Sequence, residues 1–460
     1  GESSIIKDDI KSSLNNGEKS TTILDEMSKD PIQSNEKTNG KGIFWSVSIF
    51  SSTNQNFFTQ FFAAFARIVG VSASILGFLT SIVNLLTGLF QGTIGRLSDK
   101  LGRKYILITG FILSFLVTIP LIFFENTILL IFVAILQAFS VSIAIPTWNA
   151  VLGDVTEPRN RAAFIGKISS IGRIISVTIT LLVAGFFFLT TEVYEGITIG
   201  GWTYIIPWRV QYSVAFGFSS FNALLCAINL LFFKETRKMT NNSRLVPKMR
   251  IAFQDKKFVK FLVVNSIFGI TMSLIWPLNP IILIDTFELT FAQVAIMTSS
   301  FTIFTGLAQI FGGKLSDKLG RKPLIILSIF ILVLFPVSIV PALVTGNWTI
   351  LLLSRFVGGL GTGINLVAIS SYTLDMAPQE LMGGYSGIRE TFYGIATFIG
   401  SFSAGFIIDA LLKVYDIYIT SMAMSIGVTV IRIIAAIGYF FIAETLPREK
   451  ERSKMKFFQH

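Results

Sequence analysis

Gly95-Arg-Leu-Ser-Asp-Lys-Leu-Gly-Arg-Lys104 occurs a second time in the chain, as Gly313-Lys-Leu-Ser-Asp-Lys-Leu-Gly-Arg-Lys322. The two copies differ at one position, which is Arg96 in the first and Lys314 in the second. Their first residues are 218 positions apart, close to half of the 460-residue chain. Each copy is a short basic segment between two long apolar runs. Self-similarity at a fixed spacing predicts that the chain contains two copies of one structural unit.

The composition is that of a membrane protein. The chain is 52% hydrophobic and 14% charged, whereas a soluble protein carries about 25% charged residues. A membrane-spanning helix needs about 20 mostly apolar residues, and its backbone must hydrogen-bond internally. Twelve runs meet this requirement, so we predict an all-α integral membrane protein with twelve transmembrane helices. The predicted spans are 43–66, 73–95, 104–124, 127–150, 163–190, 209–233, 258–284, 290–313, 323–343, 347–372, 386–410 and 417–443.

Charge in the loops predicts the orientation of the chain. Lys and Arg cluster after the even-numbered helices and in the C-terminal tail, whereas most loop acids follow the odd-numbered helices. Basic loops stay on the cytoplasmic side. Both termini and both repeated loops are therefore expected in the cytoplasm of a multi-pass plasma-membrane protein. This distribution also accounts for the net charge of +11 without a nucleic-acid partner.

Further repeats define the domain boundaries. Asp154-Val-Thr-Glu-Pro158 follows the fourth helix and Asp375-Met-Ala-Pro378 follows the tenth. Because six helices per copy is an even number, the two copies enter the membrane from the same side, as parallel repeats do. We predict two pseudo-symmetric six-helix bundles at 43–233 and 258–443. A disordered cytoplasmic tail at 1–42, a basic linker at 234–257 and a C-terminal tail at 444–460 complete the chain.

The repeated loops, in register with twelve spans, resemble those of the major facilitator superfamily over about residues 43–445. The resemblance implies alternating access, in which two six-helix bundles rock around a central substrate cavity. Asp99 is suited to cap a helix N-terminus, in this family usually that of helix 11, and Arg103 is suited to pair with Asp154. We interpret the motif residues as a cytoplasmic gate; they could instead only fix loop shape. The set is Gly95, Asp99, Gly102, Arg103 and Asp154, with Gly313, Asp317, Gly320, Arg321 and Asp375 in the second copy.

Polar stripes at helical spacing predict where the cavity lies, because a lipid-facing helix surface does not need them. The family resemblance places helices 1, 2, 4, 5, 7, 8, 10 and 11 around the cavity. Polar side chains also hold helices together, so packing is the alternative at each position. The predicted cavity residues are Asn56, Gln60, Asn84, Arg173, Asn265, Trp276, Asn279, Gln309, Arg355, Asn365 and Tyr393.

Charged residues deep in a span are costly and are usually paired or functional. Arg173 lies near the middle of helix 5, where it could contact substrate or form a structural pair. Glu390 is the candidate for proton coupling, with a gate or helix-dipole role as the alternative. Arg432, in the peripheral helix 12, has no assigned role. Prolines are expected to bend helices 4 and 7, at Pro146 and around Asn279, and the second bend could serve as an external gate.

These features predict a transporter and not an enzyme. The sequence shows no catalytic triad, metal constellation or ATP-binding loop, so no cofactor or metal is expected. We expect a monomeric secondary transporter of a small organic molecule, with proton-coupled efflux of amphipathic or metabolite-like compounds by antiport as the first hypothesis. The alternative is uptake of a small organic anion or sugar by symport or facilitated diffusion. A membrane receptor without transport is the hypothesis from another class.

Overall fold

The computed structural model describes the backbone of residues 31–154, 161–193, 197–199, 202–234, 246–378 and 381–445. Side chains are described over the same ranges except at 31–41, 92, 95–96, 99–100, 153–154, 161–166, 192, 197–199, 202–203, 246–249, 314 and 317–318.

Twelve long helices, numbered α1 to α12, make up most of the described chain. The N-terminal six are Pro31–Ile68, Ala73–Leu101, Arg103–Thr118, Thr127–Asp154, Arg161–Phe188 and Trp208–Leu231. The C-terminal six are Lys256–Ser273, Phe291–Leu319, Arg321–Val337, Leu351–Met376, Met382–Leu411 and Ile417–Ile437. Each overlaps one predicted span, so the predicted helical spans are confirmed. The backbone of α1 is already helical at Pro31, where the sequence pattern places a disordered tail reaching residue 42.

Shorter segments extend several of these helices. Pro120–Phe123 continues α3, Leu278–Ile281 and Ile282–Thr286 continue α7, Val340–Thr345 continues α9, and Gly438–Phe441 follows α12. Leu189–Val193 follows α5, Trp348–Ile350 precedes α10, and Val246–Gln254 is a helix within the predicted linker. Between α5 and α6, strands β1 (Ile197–Ile199) and β2 (Trp202–Tyr204) form an antiparallel hairpin, an exception to the all-α prediction.

Eleven of the helical segments in the described chain are long and apolar enough to cross a membrane. The remaining long helix, α1, is more polar because Asn54, Gln55, Asn56 and Gln60 follow a run of Ser and Thr. Phe57, Phe61 and Phe65 of α1 are nevertheless fully buried among neighbouring helices. Thr53, Asn54 and Gln60 are also buried, so α1 packs inside the bundle on both its aromatic and its polar sides, as expected for the twelfth span.

The two halves, α1–α6 and α7–α12, meet mainly along α2 with α11 and along α5 with α8. Glycine permits the close approach of α2 and α11, because it has no Cβ. A Cβ built at Gly88 would lie 2.6 Å from the carbonyl oxygen of Glu390, and one built at Gly394 would clash with the carbonyl oxygen of Asn84. The halves are thus in direct backbone contact along this pair.

The ends of the bundle are named here by their turns. The end with the α2–α3 and α8–α9 turns, at Gly102 and Gly320, is called the basic end, and the opposite end is called the distal end. Gly102 and Gly320 have φ angles of 90° and 97°, values that favour glycine. This conformation lets each basic loop reverse the chain within a single residue between two helices.

Candidate transport pathway

A cavity of about 450 Å³ lies between α1, α4, α5 and α8, in the parts of these helices that point toward the basic end. We call it the basic-end cavity. Arg173 of α5 and Thr302 of α8 line it together with Asn56, and most of its other lining side chains are polar. They are Ser48, Ser51, Ser52, Gln55, Thr59, Asn149 and Ser169, with Ala144, Ile145 and Trp148 supplying the apolar wall.

A second cavity of about 440 Å³ lies in the distal half of the bundle, between α1, α2, α8, α10 and the extension of α7. We call it the distal cavity. Five predicted cavity residues line it: Gln60, Asn84, Trp276, Asn279 and Arg355. Because α1 and α2 belong to one half and the other lining helices to the other, this cavity lies between the halves.

Polar side chains of α1 separate the two cavities. Asn56 donates to the hydroxyl of Thr180 on α5 over 3.1 Å and accepts from Gln60. Gln60 in turn accepts from the hydroxyl of Thr298 on α8 over 3.1 Å. This chain of hydrogen bonds joins the halves near the middle of α1, and Thr59 lines both cavities.

The two pathway arginines are bound differently. Arg173 donates from Nη1 to Oε1 of Gln309 over 3.1 Å, which connects α5 to α8 and so links the halves. Arg355 is 5% exposed and donates to Oδ1 of Asn279 over 3.3 Å. Its Nε atom is buried with no hydrogen-bond partner among the described residues. Arg355 therefore retains an unused donor beside the distal cavity.

The position of Asn279 depends on a break in α7. The regular helix ends at Ser273, and the next bonds, Trp276 N to Ser273 O and Leu278 N to Ile275 O, are tighter turns. Pro277 lacks an N–H and cannot continue the helical ladder. The regular helix is thus interrupted where a bend is predicted, and Trp276 and Asn279, which lie after the interruption, line the distal cavity.

Arg432, which had no predicted role, holds this break together. Its fully buried guanidinium donates to the carbonyl oxygens of Thr271 (3.2 Å) and Met272 (2.7 Å) in the last turn of α7, and of Leu332 (2.7 Å) in α9. The last carbonyls of a helix lack intrahelical donors and form its negative end. Arg432 therefore acts as a C-terminal cap for α7 supplied by a neighbouring helix.

The distal end is closed by contacts between the halves. Arg67 at the end of α1 forms a salt bridge with Asp285 in the extension of α7. Asp409 of α11 accepts from the backbone N–H groups of Ala73 and Ser74, both over 2.9 Å, and so caps α2 from the other half. Arg67 and Asp285 are 218 residues apart, the same spacing as the repeated loops. Equivalent positions of the two repeats thus meet here. The opposite charges of Arg67 and Asp285 at the repeat spacing were the signal in the sequence that could have predicted this pair.

The basic end of the C-terminal half is organised around Arg321. Its Nε donates to Asp375 over 2.9 Å, so the structure brings together two of the predicted gate residues. Glu444 accepts from the backbone N–H groups of Arg321 and Lys322 and caps α9, a role the sequence did not indicate. A Cβ at Gly320 would lie 2.9 Å from Glu444, whereas one at Gly313 would meet nothing within 4 Å.

The equivalent gate in the N-terminal half is only partly visible. Arg103 is buried, but the surroundings of Gly95 and the side chains of Asp99, Asp154 and Asp317 lie outside the described residues. The predicted pairing of Arg103 with Asp154 and the predicted helix cap by Asp99 therefore remain predictions.

Four predicted cavity residues and the predicted coupling residue lie elsewhere. Asn265 accepts from the hydroxyl of Tyr439 on α12, and Asn365 donates to Ser328 on α9; both hold helices together on the outer side of the half. The ring of Tyr393 packs against Gly269 of α7. Gln309 contacts Arg173 but does not line either cavity. Glu390 forms an ion pair with the adjacent Arg389, and 37% of its side chain is exposed.

The described residues contain no group of three or more His, Cys, Asp or Glu that could hold a metal ion. Among the residues that line the two cavities, none is Asp or Glu. The chemistry that the pathway offers is therefore hydrogen bonding, aromatic contact and the positive charge of two arginines.

The sequence matches the profile of a known protein family in both halves. The sequence profile of the Major Facilitator Superfamily matches residues 44–265 and again 261–458. The chain belongs to the major facilitator superfamily. The family's two repeats coincide with the two six-helix halves, which confirms the predicted fold class, and membership identifies the chain as a transporter and not an enzyme.

Individual relatives are more distant. The chain is 30% identical to the quinolone resistance protein NorA of Staphylococcus aureus over 137 residues, which is 29% of this chain and 34% of that protein. It is 32% identical to the major myo-inositol transporter IolT of Bacillus subtilis over 99 residues, 22% of this chain and 20% of that protein. The chain thus matches about a third or less of the length of these relatives.

Solved structures share the fold. The nucleoside transporter NupG has a TM-score of 0.66 at 12% identity, over 87% of this chain and 98% of that one. A bacterial homologue of the lysosomal transporter Spinster, in an inward-facing unoccupied conformation, has a TM-score of 0.66 at 15% identity, over 90% and 97%. At these identities the similarity shows the fold alone.

Proposed function

We propose that this transporter moves a small organic anion through the two cavities by alternating access. The observation that carries the proposal is that, among the described residues, each cavity is lined by one arginine and no carboxylate. An uncompensated cation within a membrane is costly unless a partner is supplied, and a bound anion supplies it. A carboxylate or phosphate would also accept the paired hydrogen bonds that a guanidinium donates.

We infer that the structure represents an inward-facing state, and the contacts between the halves support this inference. The distal end is closed by the pair of Arg67 with Asp285 and by the cap that Asp409 forms on α2. With the basic end in the cytoplasm, as the loop charges predict, the state is inward-facing and the basic-end cavity is the half of the pathway near the cytoplasm. Both termini are then cytoplasmic, and the motif residues Arg321 and Asp375 belong to the gate that closes in the opposite state.

Proton-coupled efflux of amphipathic compounds is the second candidate function. The similarity to NorA, which is named for quinolone resistance, favours it. In this version Glu390 takes up the coupling proton. The location of Glu390 on α11, where its backbone touches Gly88 of α2, would let its protonation affect the contact between the halves.

Transport by the purified protein in sealed liposomes tests both candidates. Organic acids, sugars and cationic amphiphiles would be offered with a pH-sensitive dye inside, to wild type and to the Arg173→Gln and Glu390→Gln variants. Arg209→Gln is the matched control. Arg209 lies at the start of α6, where it pairs with Glu125, and it lines neither cavity.

We expect wild type to transport an organic acid. This flux should fall at least about tenfold in Arg173→Gln, because charge-assisted hydrogen bonds contribute about 1.5–3 kcal/mol. It should be unchanged in Arg209→Gln. Flux of cations or neutral amphiphiles that is insensitive to Arg173→Gln would contradict anion transport. A proton signal that disappears in Glu390→Gln would support coupling, and an unchanged signal would exclude Glu390 from that role.

A further inference from the structure

A third cavity of about 270 Å³ lies between α5 and α8 and faces away from the central pathway. We call it the α5–α8 groove. Ile174 and Ile310 on its walls are 64% and 54% exposed, as expected for side chains in contact with lipid. Its other apolar lining residues are Val177, Leu181, Ile303 and Leu307.

The groove and the basic-end cavity share two residues, Arg173 and Thr302. On one side of Arg173 the walls are mainly Ser, Asn and Gln; on the other they are mainly Ile, Leu and Val. The guanidinium therefore lies at the boundary between a polar compartment and an apolar groove that opens toward the bilayer. Gln309 of α8, which accepts its hydrogen bond, holds it at that position.

We propose that the substrate is a single-chain anionic amphiphile that reaches the pathway from the membrane between α5 and α8. Its anionic head group binds Arg173 from the basic-end cavity, and its hydrocarbon tail lies in the α5–α8 groove. This inference rests on the proposed function, because it assumes that Arg173 binds the transported anion.

The geometry favours this occupant over a compact, water-soluble anion. A polar solute gains nothing from the apolar walls, whereas each methylene removed from water contributes about 0.8 kcal/mol. A tail in the groove remains continuous with the bilayer, so it need not cross the polar compartment. The groove also has free space beside α8, since a Cβ built at Gly306 would meet nothing within 4 Å.

Direct binding to the protein in phosphatidylcholine nanodiscs tests the proposal, with empty nanodiscs to subtract partition into the lipid. The probes are dodecanoate, butyrate, which has the head group without the long tail, and dodecanol, which has the tail without the charge. Gly306→Leu fills the groove. Gly185→Leu is its matched control, because a Cβ there also meets nothing within 4 Å and Gly185 does not line the groove.

We expect Gly306→Leu to weaken dodecanoate binding about tenfold, the loss expected when one or two methylenes leave the groove, without changing butyrate binding. Gly185→Leu should change neither. Arg173→Gln should weaken both carboxylates, and dodecanol should bind wild type more weakly than dodecanoate does. If Gly306→Leu reduces the folded yield, Ile174→Ser at an exposed position of the groove replaces it, with the same pattern expected.

Equal dodecanoate binding by Gly306→Leu and Gly185→Leu, or by Ile174→Ser and wild type, would overturn the groove as the site of the tail. Dodecanol binding as tight as dodecanoate would show ordinary lipid occupancy and would also overturn the proposal. Anion transport would survive either result if Arg173→Gln still weakens butyrate. Butyrate and dodecanoate binding that is indifferent to Arg173→Gln would overturn both proposals.

Discussion

Arg355 and Arg432 are both buried arginines of the C-terminal half, 5% and 0% exposed, yet their surroundings differ. Arg432 donates to three backbone carbonyl oxygens from two other helices. Arg355 donates to one amide oxygen at 3.3 Å and faces a cavity of about 440 Å³. A buried cation whose three nitrogens all donate to the protein stabilises the fold, whereas we propose that one with an unpartnered nitrogen beside a cavity is available to a ligand.

Replacement of Arg432 should give the largest effect on stability. Arg432→Met keeps a long side chain but leaves three buried carbonyl oxygens without their donor. Because hydrogen bonds to charged groups contribute about 1.5–3 kcal/mol each, we expect the loss of three of them to lower the free energy of unfolding by about 5 kcal/mol or more. Unfolding of the purified variant in detergent, by heat or denaturant, measures it. Arg432→Lys should recover only part of this loss, since its ammonium reaches fewer of the carbonyls.

If Arg432→Met unfolded like wild type, Arg432 would not have the stabilising role that separates it from Arg355. The same substitution at position 355 provides the control in the same half. Arg355→Met loses a single long hydrogen bond but also removes the buried Nε that has no partner among the described residues. These two effects oppose each other, so its unfolding free energy should stay within about 1 kcal/mol of wild type.

Arg355→Met should instead affect transport. Without its charge the distal cavity no longer attracts an anion, and we expect the KM for the transported acid to rise about tenfold. Initial rates of uptake into liposomes, at several substrate concentrations, provide the measurement. A wild-type KM in this variant would show that the unused donor of Arg355 does not contact substrate. Arg355 would then differ from Arg432 in its contacts but not in its function.

Arg67 extends the comparison to an arginine with a carboxylate partner at a partly exposed site. Its pair with Asp285 joins the halves at the distal end. Partly exposed ion pairs contribute about 0.2–1 kcal/mol, so Arg67→Gln should hardly change unfolding. It should raise the population open at the distal end about two- to fivefold. Labelling of a cysteine placed at Thr80, on the wall of the distal cavity, reports that population. Labelling at the wild-type rate would argue against a gating role for this pair.

Much of the fold could be predicted from the sequence. The thickness of the membrane sets the length of the apolar runs, so these runs predicted the twelve helices. The two copies of the basic loop predicted that the helices form two halves. The helical start of α1 at Pro31 and the hairpin after α5 could not be predicted in this way. They lie outside the predicted spans, where run length and apolarity carry no information.

The site was predicted less completely, for a physical reason. A polar residue in an apolar helix needs a partner, but the sequence does not show whether that partner is a ligand or another helix. Asn279 and Asn265 have the same side chain on the same helix, yet one faces the distal cavity and the other binds Tyr439. The acceptors of Arg432 are backbone carbonyls, which every residue has, so the residue types at these positions do not identify them.

The hydrogen bonds of Arg432 also bear on the order in which the protein is made. An arginine at the centre of a membrane helix costs about 2.5–3.5 kcal/mol when that helix inserts alone. The three acceptors of Arg432 precede it in the chain by 161, 160 and 100 residues. During synthesis from the N-terminus, α7 and α9 therefore leave the ribosome before α12. This costly side chain is thus delivered to a membrane where every one of its acceptors has already been synthesised.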